Sequence, residues 1–379
     1  MTARPRVLHL GYEDPRKPGA GGGSVRTAAI NRRLAREFDI VVACARFPGC
    51  EPYTQDGVRY THLGAGRGRD VSAATYFAAQ WGAVRRYAPD LVVEDFGAPI
   101  STWGLPRTTS IPVVGVVQWL FAEDKSRQYH LPFGRIERYG LAAHRTLVAV
   151  SDDLGSLLRE RNPRADVHVV PNALPPQAFA IPHEGPREDI RYLGRIEEAQ
   201  KGLSLLLRAY ASAVRAPGGI AQNVLVAGEG PDRGALEGLA ADLGIADRVH
   251  FVGPIAPADR FAWLAAAELV AMPSRYETFG MVAAESMAAH TPVVAFDIDC
   301  LRNLVSDDTG RRVPAFDVEA FAAALRELGA DAALRSSLGR RGAAEVAHLT
   351  WDAAAEHQGR VYRAALRSRS CSRIRSEAR

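Results

Sequence analysis

The sequence predicts an α/β protein built from parallel sheets with helices on their faces. Apolar runs rich in β-branched residues, such as Val7–Leu10, alternate with segments of helical periodicity, such as Thr27–Arg36. This alternation is typical of strand–helix–strand crossovers. At 379 residues the chain is too long for one ordinary core. We therefore expect two doubly wound, Rossmann-like domains.

Two series of predicted strands define the two domains. The first comprises Val7–Leu10, Ile40–Cys44, Leu91–Val93, Val113–Val117 and Leu147–Val150, and the second comprises Ile190–Leu193, Asn223–Ala227, Val249–Val252, Leu269–Met272 and Pro292–Ala295. Between them, the prolines of Pro171–Pro186 interrupt any helix and predict a linker. The predicted divisions are residues 1–180, residues 181–355, and residues 356–379, which form a helix with a basic tail.

The composition limits the classes of function. Charged residues make up 24% of the chain, no apolar run approaches the ~20 residues that span a bilayer, and the first residues lack a secretory pattern. We therefore expect a cytoplasmic protein without a transmembrane segment. A net charge of +4 with scattered Arg does not form the basic face that nucleic acid requires. The four Cys lack C-x-x-C spacing, so we expect neither a disulfide framework nor a metal site.

The segment 272–288 predicts an anion pocket. It reads as a strand end, a loop with Glu277, a glycine at position 280, and a helix that carries Glu285. Free N–H groups at the start of such a helix favour a negatively charged group. The two carboxylates would flank that anion and accept hydrogen bonds from sugar or ribose hydroxyls. The pocket residues between them are Thr278, Phe279, Gly280, Met281 and Val282.

A second segment places two cations beyond the predicted strand Ile190–Leu193. Gly194-Arg195 follows the strand, and Lys201-Gly202 stands before the next predicted helix. Open α/β sheets bind ligands at the carboxyl ends of their strands. Arg195 and Lys201 are therefore candidates to hold a diphosphate and to compensate the charge of a departing nucleotide.

The spacing Glu277-x7-Glu285, with Pro273-Ser274 before it and Pro292–Ala295 after it, resembles the retaining GT-B glycosyltransferases of family 4. The resemblance implies two Rossmann-like domains whose sheets face each other across a cleft. It further implies that the donor binds the second domain, the acceptor binds the first, and the final helix returns to the first domain. It also implies that no metal ion takes part.

The resemblance assigns roles to individual residues. The first Glu of the motif, Glu277, would contact the donor sugar and Glu285 the ribose, while Arg195 and Lys201 would hold the diphosphate. The predicted catalytic set is therefore Glu277, Arg195 and Lys201. The further candidate donor contacts are Gly22, Gly23, Gly194, Gly228, Glu229 and Gly253, and the candidate acceptor contacts are Ser24 and Gln118.

Some of these candidates have a competing interpretation. Glycines after strands, such as Gly228 and Gly253, occur in any Rossmann-like domain. The turn Gly19–Ser24 lacks the G-x-G-x-x-G spacing of a dinucleotide site. Asp297-Ile298-Asp299 spells the D-x-D of metal-dependent glycosyltransferases, but we interpret it as an ordinary loop because it follows a late strand.

The sequence thus predicts a retaining, metal-independent glycosyltransferase that uses a nucleotide-diphosphate sugar. The alternatives are a nucleotide-sugar epimerase or hydrolase on the same fold, and a non-catalytic subunit that binds a nucleotide sugar. The base, the sugar, the acceptor and the oligomeric state stay open.

Overall fold

The structure is a computed structural model that describes residues 3–18, 20–66, 68–97, 104–120, 122, 126, 130, 132–181 and 185–377. Gly19 of the predicted glycine turn and residues 182–184 of the predicted linker lie outside these ranges. The chain divides into two compact units. The first unit contains Met1–Ala173 and Trp351–Arg379, and the second contains Leu174–Thr350.

The first unit contains an eight-stranded sheet in the order β3-β4-β2-β1-β5-β6-β7-β8. Its strands are β1 Arg6–Leu10, β2 Asp39–Ala45, β3 Tyr53–Gln55, β4 Val58–Leu63, β5 Leu91–Phe96, β6 Val113–Val117, β7 Thr146–Ala149 and β8 Asp166–Val169. All neighbours are parallel except β3 and β4, which form an antiparallel hairpin. The strand order reverses between β1 and β5.

Helices follow most strands of the first unit. They are α1 Gly22–Leu34, α2 Arg69–Tyr87, α3 Leu105–Thr108, α4 Phe133–Leu141, α5 Asp152–Arg161 and, at the end of the chain, Trp351–Glu377. The last of these packs Val361 and Tyr362 into the same core cluster as Ile30 and Phe38. It therefore belongs to the first unit, as the sequence predicts, but it begins at Trp351 rather than at residue 356.

The second unit contains a six-stranded sheet in the order β11-β10-β9-β12-β13-β14. Its strands, all parallel, are β9 Ile190–Leu193, β10 Val224–Ala227, β11 Val249–Gly253, β12 Leu269–Met272, β13 Val293–Phe296 and β14 Gly310–Val313. The chain builds outward from β9 in one direction and from β12 in the other. The carboxyl ends of these two neighbours therefore define the switch point at which open α/β sheets bind ligands.

The helices of the second unit cover both faces of this sheet. They are α6 Glu198–Lys201, α7 Leu203–Arg215, α8 Arg233–Asp242, α9 Arg260–Ala265, α10 Met281–Ala288, α11 Asp299–Arg302, α12 Val318–Ala330 and α13 Ala332–Val346; the helix Trp351–Glu377 of the first unit is α14. Along β12, Leu269 and Ala271 join one core cluster while Val270 and Met272 join the other. This alternation is the expected period of a strand buried on both faces.

The segment before β9 belongs to the second unit. Leu174 and Ala178 are buried in its core, and the Leu174 N–H donates to the Leu349 carbonyl at 2.8 Å. The contacts thus divide the chain at 173/174, whereas the sequence placed the division at 180/181. Proline spacing indicates where a helix cannot continue, but it carries no information about which core receives the apolar residues between the prolines.

Candidate active site

Two loops of the second unit meet at the switch point, after β9 and after β12. The Arg275 N–H donates to the Gln200 carbonyl at 2.8 Å. Gly202 adopts φ +60°, and a Cβ placed on it would lie 2.4 Å from the Pro273 carbonyl oxygen. Only glycine fits this conformation and this approach. The two predicted segments, which are far apart in sequence, are therefore held together by their backbones.

Lys201 and Glu277 form an ion pair across these loops. Lys201 Nζ contacts Glu277 Oε1, and the Ser274 hydroxyl donates to the same oxygen at 2.9 Å. The side chains are 19% and 15% exposed, so both remain accessible to a ligand while neighbouring atoms restrict their rotamers. Two of the three predicted catalytic residues thus lie in direct contact.

Arg195 lies at the start of the loop that follows β9. Its guanidinium donates to Gln200 Oε1 at 2.8 Å and lies 3.1 Å from Glu197 Oε2. The side chain is 64% exposed. The Tyr192 hydroxyl, which sequence reasoning missed, donates to the Arg195 carbonyl at 2.7 Å. Arg195 is therefore an exposed cation whose carbonyl is held by Tyr192, in contrast to the more enclosed Lys201.

The helix α10 begins directly after Gly280. This glycine has φ +81°, and a Cβ on it would lie 2.5 Å from Leu301 Cδ2, so a left-handed turn and close packing both require glycine. Gly280, at the N-cap position, has no side chain that could cap the helix. Among the described residues, the first N–H groups of the helix, including those of Met281 and Val282, are therefore left for another acceptor. Thr278 is half-buried, and Phe279 packs against the core.

Glu285 lies one turn into α10 and pairs with Arg260, the first residue of α9. Arg260 Nε donates to Glu285 Oε2 at 2.6 Å, and Nη2 lies 2.5 Å from the same oxygen. Burial raises the pKa of Glu285, and the charge and hydrogen bond of Arg260 oppose that increase. Sequence reasoning missed Arg260, because no local motif or spacing links it to a carboxylate 25 residues later.

The glycines after β9 and β10 pack on each other. A Cβ on Gly228 would lie 1.8 Å from the Gly194 carbonyl oxygen, and the Gly228 N–H donates to the Gly253 carbonyl at 2.9 Å. This contact alone explains why Gly228 is a glycine. Glu229 is exposed, while its carbonyl accepts the Ile196 N–H at 2.8 Å. The predicted donor contacts of these residues stay predictions.

The candidates of the first unit lie at the start of α1. Gly22, Gly23 and Ser24 form the first turn of this helix, which corrects the prediction that they belong to a turn and that the helix begins at Thr27. The Gln118 side chain reaches this turn, because a Cβ on Gly23 would lie 3.1 Å from its Nε2. The Ser24 hydroxyl donates to the Gly21 carbonyl at 2.8 Å.

A carboxylate that the sequence did not indicate lies at the same helix start. Glu13 Oε2 accepts the Gly21 N–H at 2.6 Å, which supplies the acceptor that a helix start without a side-chain cap lacks. The sequence gives only a weak signal for this contact, because Glu13 lies in a loop after β1, eight residues before Gly21.

The first unit's sheet also carries pairs of a histidine and an acid, whose side chains are buried except that of Asp95. Their histidine Nε2 and carboxylate oxygens lie between 2.8 and 3.2 Å apart, and the pairs are His9–Asp95, His62–Asp14 and His144–Glu94. Both side chains of the last pair are fully buried, and burial raises the pKa of Glu94. Among the described residues, Glu94 Oε1 has no hydrogen-bond partner.

The D-x-D sequence lies beyond β13. Asp297 Oδ1 contacts Arg302 at 2.9 Å and Arg312 at 3.3 Å, while Asp299 begins α11. Two arginines thus compensate the Asp297 carboxylate. In the described part of the chain, no group of three or more His, Cys, Asp or Glu is arranged to hold a metal ion.

The fold and this site define a class of protein. Two Rossmann-like units, the second with cations and two carboxylates at its switch point, are the architecture of GT-B glycosyltransferases, which confirms the predicted fold class. A family model described as "Glycosyltransferase Family 4" matches residues 20–178, and one described as "Glycosyl transferases group 1" matches residues 187–331. The chain belongs to this family of glycosyltransferases.

Curated relatives with similar sequences include glycosyltransferases of two kinds. The chain is 29% identical over 415 residues to the D-inositol 3-phosphate glycosyltransferase of Kineococcus radiotolerans, covering 93% of each. A protein of the same name from Streptomyces avermitilis is 37% identical, with 49% of this chain and 41% of the relative aligned. The phosphatidyl-myo-inositol mannosyltransferase of Mycolicibacterium smegmatis is 33% identical, with 52% of each aligned. The last two alignments span about half of these relatives or less.

Solved structures share the fold over nearly the whole chain. Sucrose-phosphate synthase from Thermosynechococcus elongatus superposes with a TM-score of 0.79 at 23% identity, covering 97% of this chain and 100% of that one. HepE of Anabaena, crystallised with UDP-glucose, superposes with a TM-score of 0.74 at 16% identity, covering 95% and 100%. None of the helices in the described ranges is both long and apolar enough to cross a membrane.

Proposed function

We propose that this glycosyltransferase moves a sugar from a nucleotide-diphosphate sugar to an acceptor hydroxyl, with retention of configuration and without a metal ion. The observation that carries the proposal is the Lys201–Glu277 pair at the switch point of the second unit, beside the uncapped start of α10. A cation, free N–H groups and a carboxylate are the groups that a sugar diphosphate requires.

The chemistry follows from these groups. The bond between the anomeric carbon and the β-phosphate oxygen breaks, and the acceptor oxygen forms the new bond on the same face of the sugar. The leaving diphosphate gains negative charge, which Lys201, Arg195 and the α10 N–H groups stabilise. The acceptor proton passes to the departing phosphate, so the reaction requires no general base from the protein.

Glu277 has a different part in this reaction. Its carboxylate accepts hydrogen bonds from hydroxyls of the donor sugar and thereby orients the anomeric carbon. The contact with Lys201 restricts the positions that the carboxylate can take. When the diphosphate binds, it shares the Lys201 cation, and the second oxygen of Glu277 is available to the sugar.

The acceptor is expected at the first unit, near Ser24 and Gln118. The relatives' names direct the first trials toward inositol phosphates and their lipids. Hydrolysis and epimerisation consume a nucleotide sugar without an acceptor. Turnover that depends on the acceptor therefore distinguishes glycosyl transfer from these two reactions.

The first experiment measures the melting temperature of the protein with chelator and UDP, GDP, ADP or dTDP, because a ligand of the folded state raises it. One diphosphate should raise it clearly, and its sugar conjugates should then react with D-inositol 3-phosphate to give an α-linked product from an α-linked donor by NMR. Failure of all four diphosphates to shift the melting temperature would contradict the proposal. Product of inverted configuration would overturn retention.

A matched pair of variants tests the site itself. Lys201→Gln should weaken binding of the chosen diphosphate by about tenfold, since a hydrogen bond to a charged group is of that order. Arg311→Gln, which removes a cation paired with Glu327 away from the switch point, should leave binding unchanged. If the two variants bound the diphosphate with equal affinity, Lys201 would not be part of the diphosphate site.

A further inference from the structure

We propose that Arg260 is a positioning residue that fixes the Glu285 carboxylate for the ribose of the nucleotide. This inference rests on the proposed function, and it concerns a residue that no sequence motif singles out. It is carried by the packing of α9 on α10, by the way in which Arg260 contacts one carboxylate oxygen, and by the burial of that carboxylate.

The two helices place both side chains on a rigid base. Phe261 and Leu264 of α9 and Ala284 and Met287 of α10 belong to one buried core cluster. Their interlocked packing leaves little freedom to the helix axes. Arg260 precedes Phe261 directly, at the end of the loop that follows β11, so its backbone cannot move away from Glu285 without disturbing this core.

The contacts of Arg260 with Glu285 converge on one carboxylate oxygen. Its Nε and Nη2 both approach Oε2, at 2.6 and 2.5 Å. In the described part of the chain, no hydrogen bond reaches Oε1. A carboxylate oxygen accepts two hydrogen bonds, so the pair fixes the orientation of the carboxylate and leaves Oε1 available for a ligand hydroxyl.

Because Glu285 is buried, the contact with Arg260 affects whether its carboxylate is protonated. The Glu285 side chain is 8% exposed, whereas Arg260 is 34% exposed. Arg260 is the charged group that faces Glu285 among the described residues. Without that charge, a buried carboxylate takes up a proton more readily and becomes partly a donor instead of an acceptor. Arg260 therefore preserves the acceptor character of Oε1.

A purely structural role would have different consequences. A buried ion pair is weak evidence for stability, because the cost of removing charges from water offsets their attraction. If Arg260 only stabilised the fold, its replacement would lower the melting temperature and leave ribose recognition intact. A positioning role predicts that the loss depends on the hydroxyls of the ligand.

The experiment compares wild type, Arg260→Gln, Arg260→Lys, Glu285→Gln and the double variant Arg260→Gln/Glu285→Gln. Calorimetry measures the Kd of the diphosphate that binds wild type best, and of its 2′-deoxy and 3′-deoxy forms. Arg260→Gln should weaken the parent diphosphate by about tenfold, raise KM for the sugar donor by the same factor, and change kcat little. Arg260→Lys should lose less, because it retains the charge.

Two further readouts separate positioning from stability. With the deoxy form that lacks the recognised hydroxyl, wild type and Arg260→Gln should bind alike, and the double variant should bind the parent diphosphate no more weakly than Glu285→Gln alone. The acidic limb of the kcat/KM profile should move to higher pH in Arg260→Gln, because Glu285 then holds its proton more strongly. Arg311→Gln controls for the loss of an unrelated ion pair.

The outcomes are distinct. If the Arg260→Gln penalty is the same for the parent and both deoxy diphosphates, or if its Kd equals that of wild type, the inference is wrong while the proposed function stands. If wild type binds no diphosphate, the proposed function fails first. Should Arg260→Gln not fold, Arg260→Lys and the double variant still test coupling to the ribose hydroxyls.

Discussion

The acidic side chains of the two units have partners of different kinds. In the first unit, acids such as Asp14 and Glu94 pair with histidines in the interior. In the second unit, Glu277 and Glu285 pair with Lys201 and Arg260, which remain partly exposed. A permanent cation near solvent can share its charge with an incoming phosphate, whereas a buried histidine cannot do so without unfolding its surroundings. The difference supports the proposal that the anionic donor binds the second unit.

The largest expected effect is on the stability of the first unit. His144→Leu removes the partner of a fully buried carboxylate and should lower the free energy of unfolding by about 3–5 kcal/mol at neutral pH. Glu94→Gln, the matched change, retains a hydrogen-bonding side chain and should cost much less. Chemical denaturation followed by circular dichroism measures both. Equal losses would show that Glu94 is not destabilised by losing its only histidine partner among the described residues.

The pH dependence of the first variant follows from the same pair. Burial raises the pKa of Glu94, so the folded state binds its proton more tightly than the unfolded state does. Stability therefore falls as pH rises through the window between the ordinary pKa of Glu and the raised value. The deficit of His144→Leu should shrink as the pH is lowered toward 5, and a deficit that is constant with pH would contradict this account.

The second effect concerns catalysis in the second unit. Glu277→Gln should lower kcat by about 100- to 1,000-fold, since the lost interaction orients and stabilises the reacting sugar. Nucleotide binding should stay within about twofold, because the diphosphate contacts Lys201 and the α10 N–H groups instead. Steady-state kinetics and calorimetry measure the two quantities. If Kd for the diphosphate rose as much as kcat fell, Glu277 would belong to the diphosphate site.

The smallest effect tests the backbone of the site. Gly280→Ala forces a side chain into φ +81° and toward Leu301, and should destabilise the protein by about 1–3 kcal/mol. Gly234→Ala, in α8 with no atom within 4 Å of the added Cβ, should be neutral or stabilising. Thermal melting compares the two. Similar melting temperatures would mean that the turn before α10 tolerates another conformation.

The sequence predicted the second unit better than the first, for physical reasons. Lys201, Glu277 and Gly280 lie in local patterns whose strand–loop–helix geometry fixes where they end up. The contact of Arg260 with Glu285 depends on how two helices pack, which no spacing encodes. The predicted GT-B fold is confirmed, whereas the roles of the individual site residues stay predictions.

The strands that sequence reasoning missed are informative. Tyr53–Gln55 and Val58–Leu63 are joined by Asp56-Gly57, both with positive φ, and Asp-Gly is a common signal for a two-residue hairpin turn. That signal was present and was overlooked. Asp166–Val169 and Gly310–Val313 are four-residue edge strands. In Asp166–Val169 the alternation of polar and apolar residues was present and was overlooked, whereas Gly310–Val313 shows no alternation by which its pattern could identify it.

The return of α14 to the first unit affects the order in which the chain acquires its structure during synthesis. Residues 174–350 are contiguous, so the second unit has its whole core available as soon as its last helix leaves the ribosome. The first unit is translated earlier, but its core stays incomplete until Trp351 and Tyr362 have been synthesised and can pack in the same cluster as Ile30 and Phe38. Because domains fold as their residues become available, the C-terminal unit can be finished before the N-terminal one, and the first 173 residues depend on the last segment of the chain to complete their core.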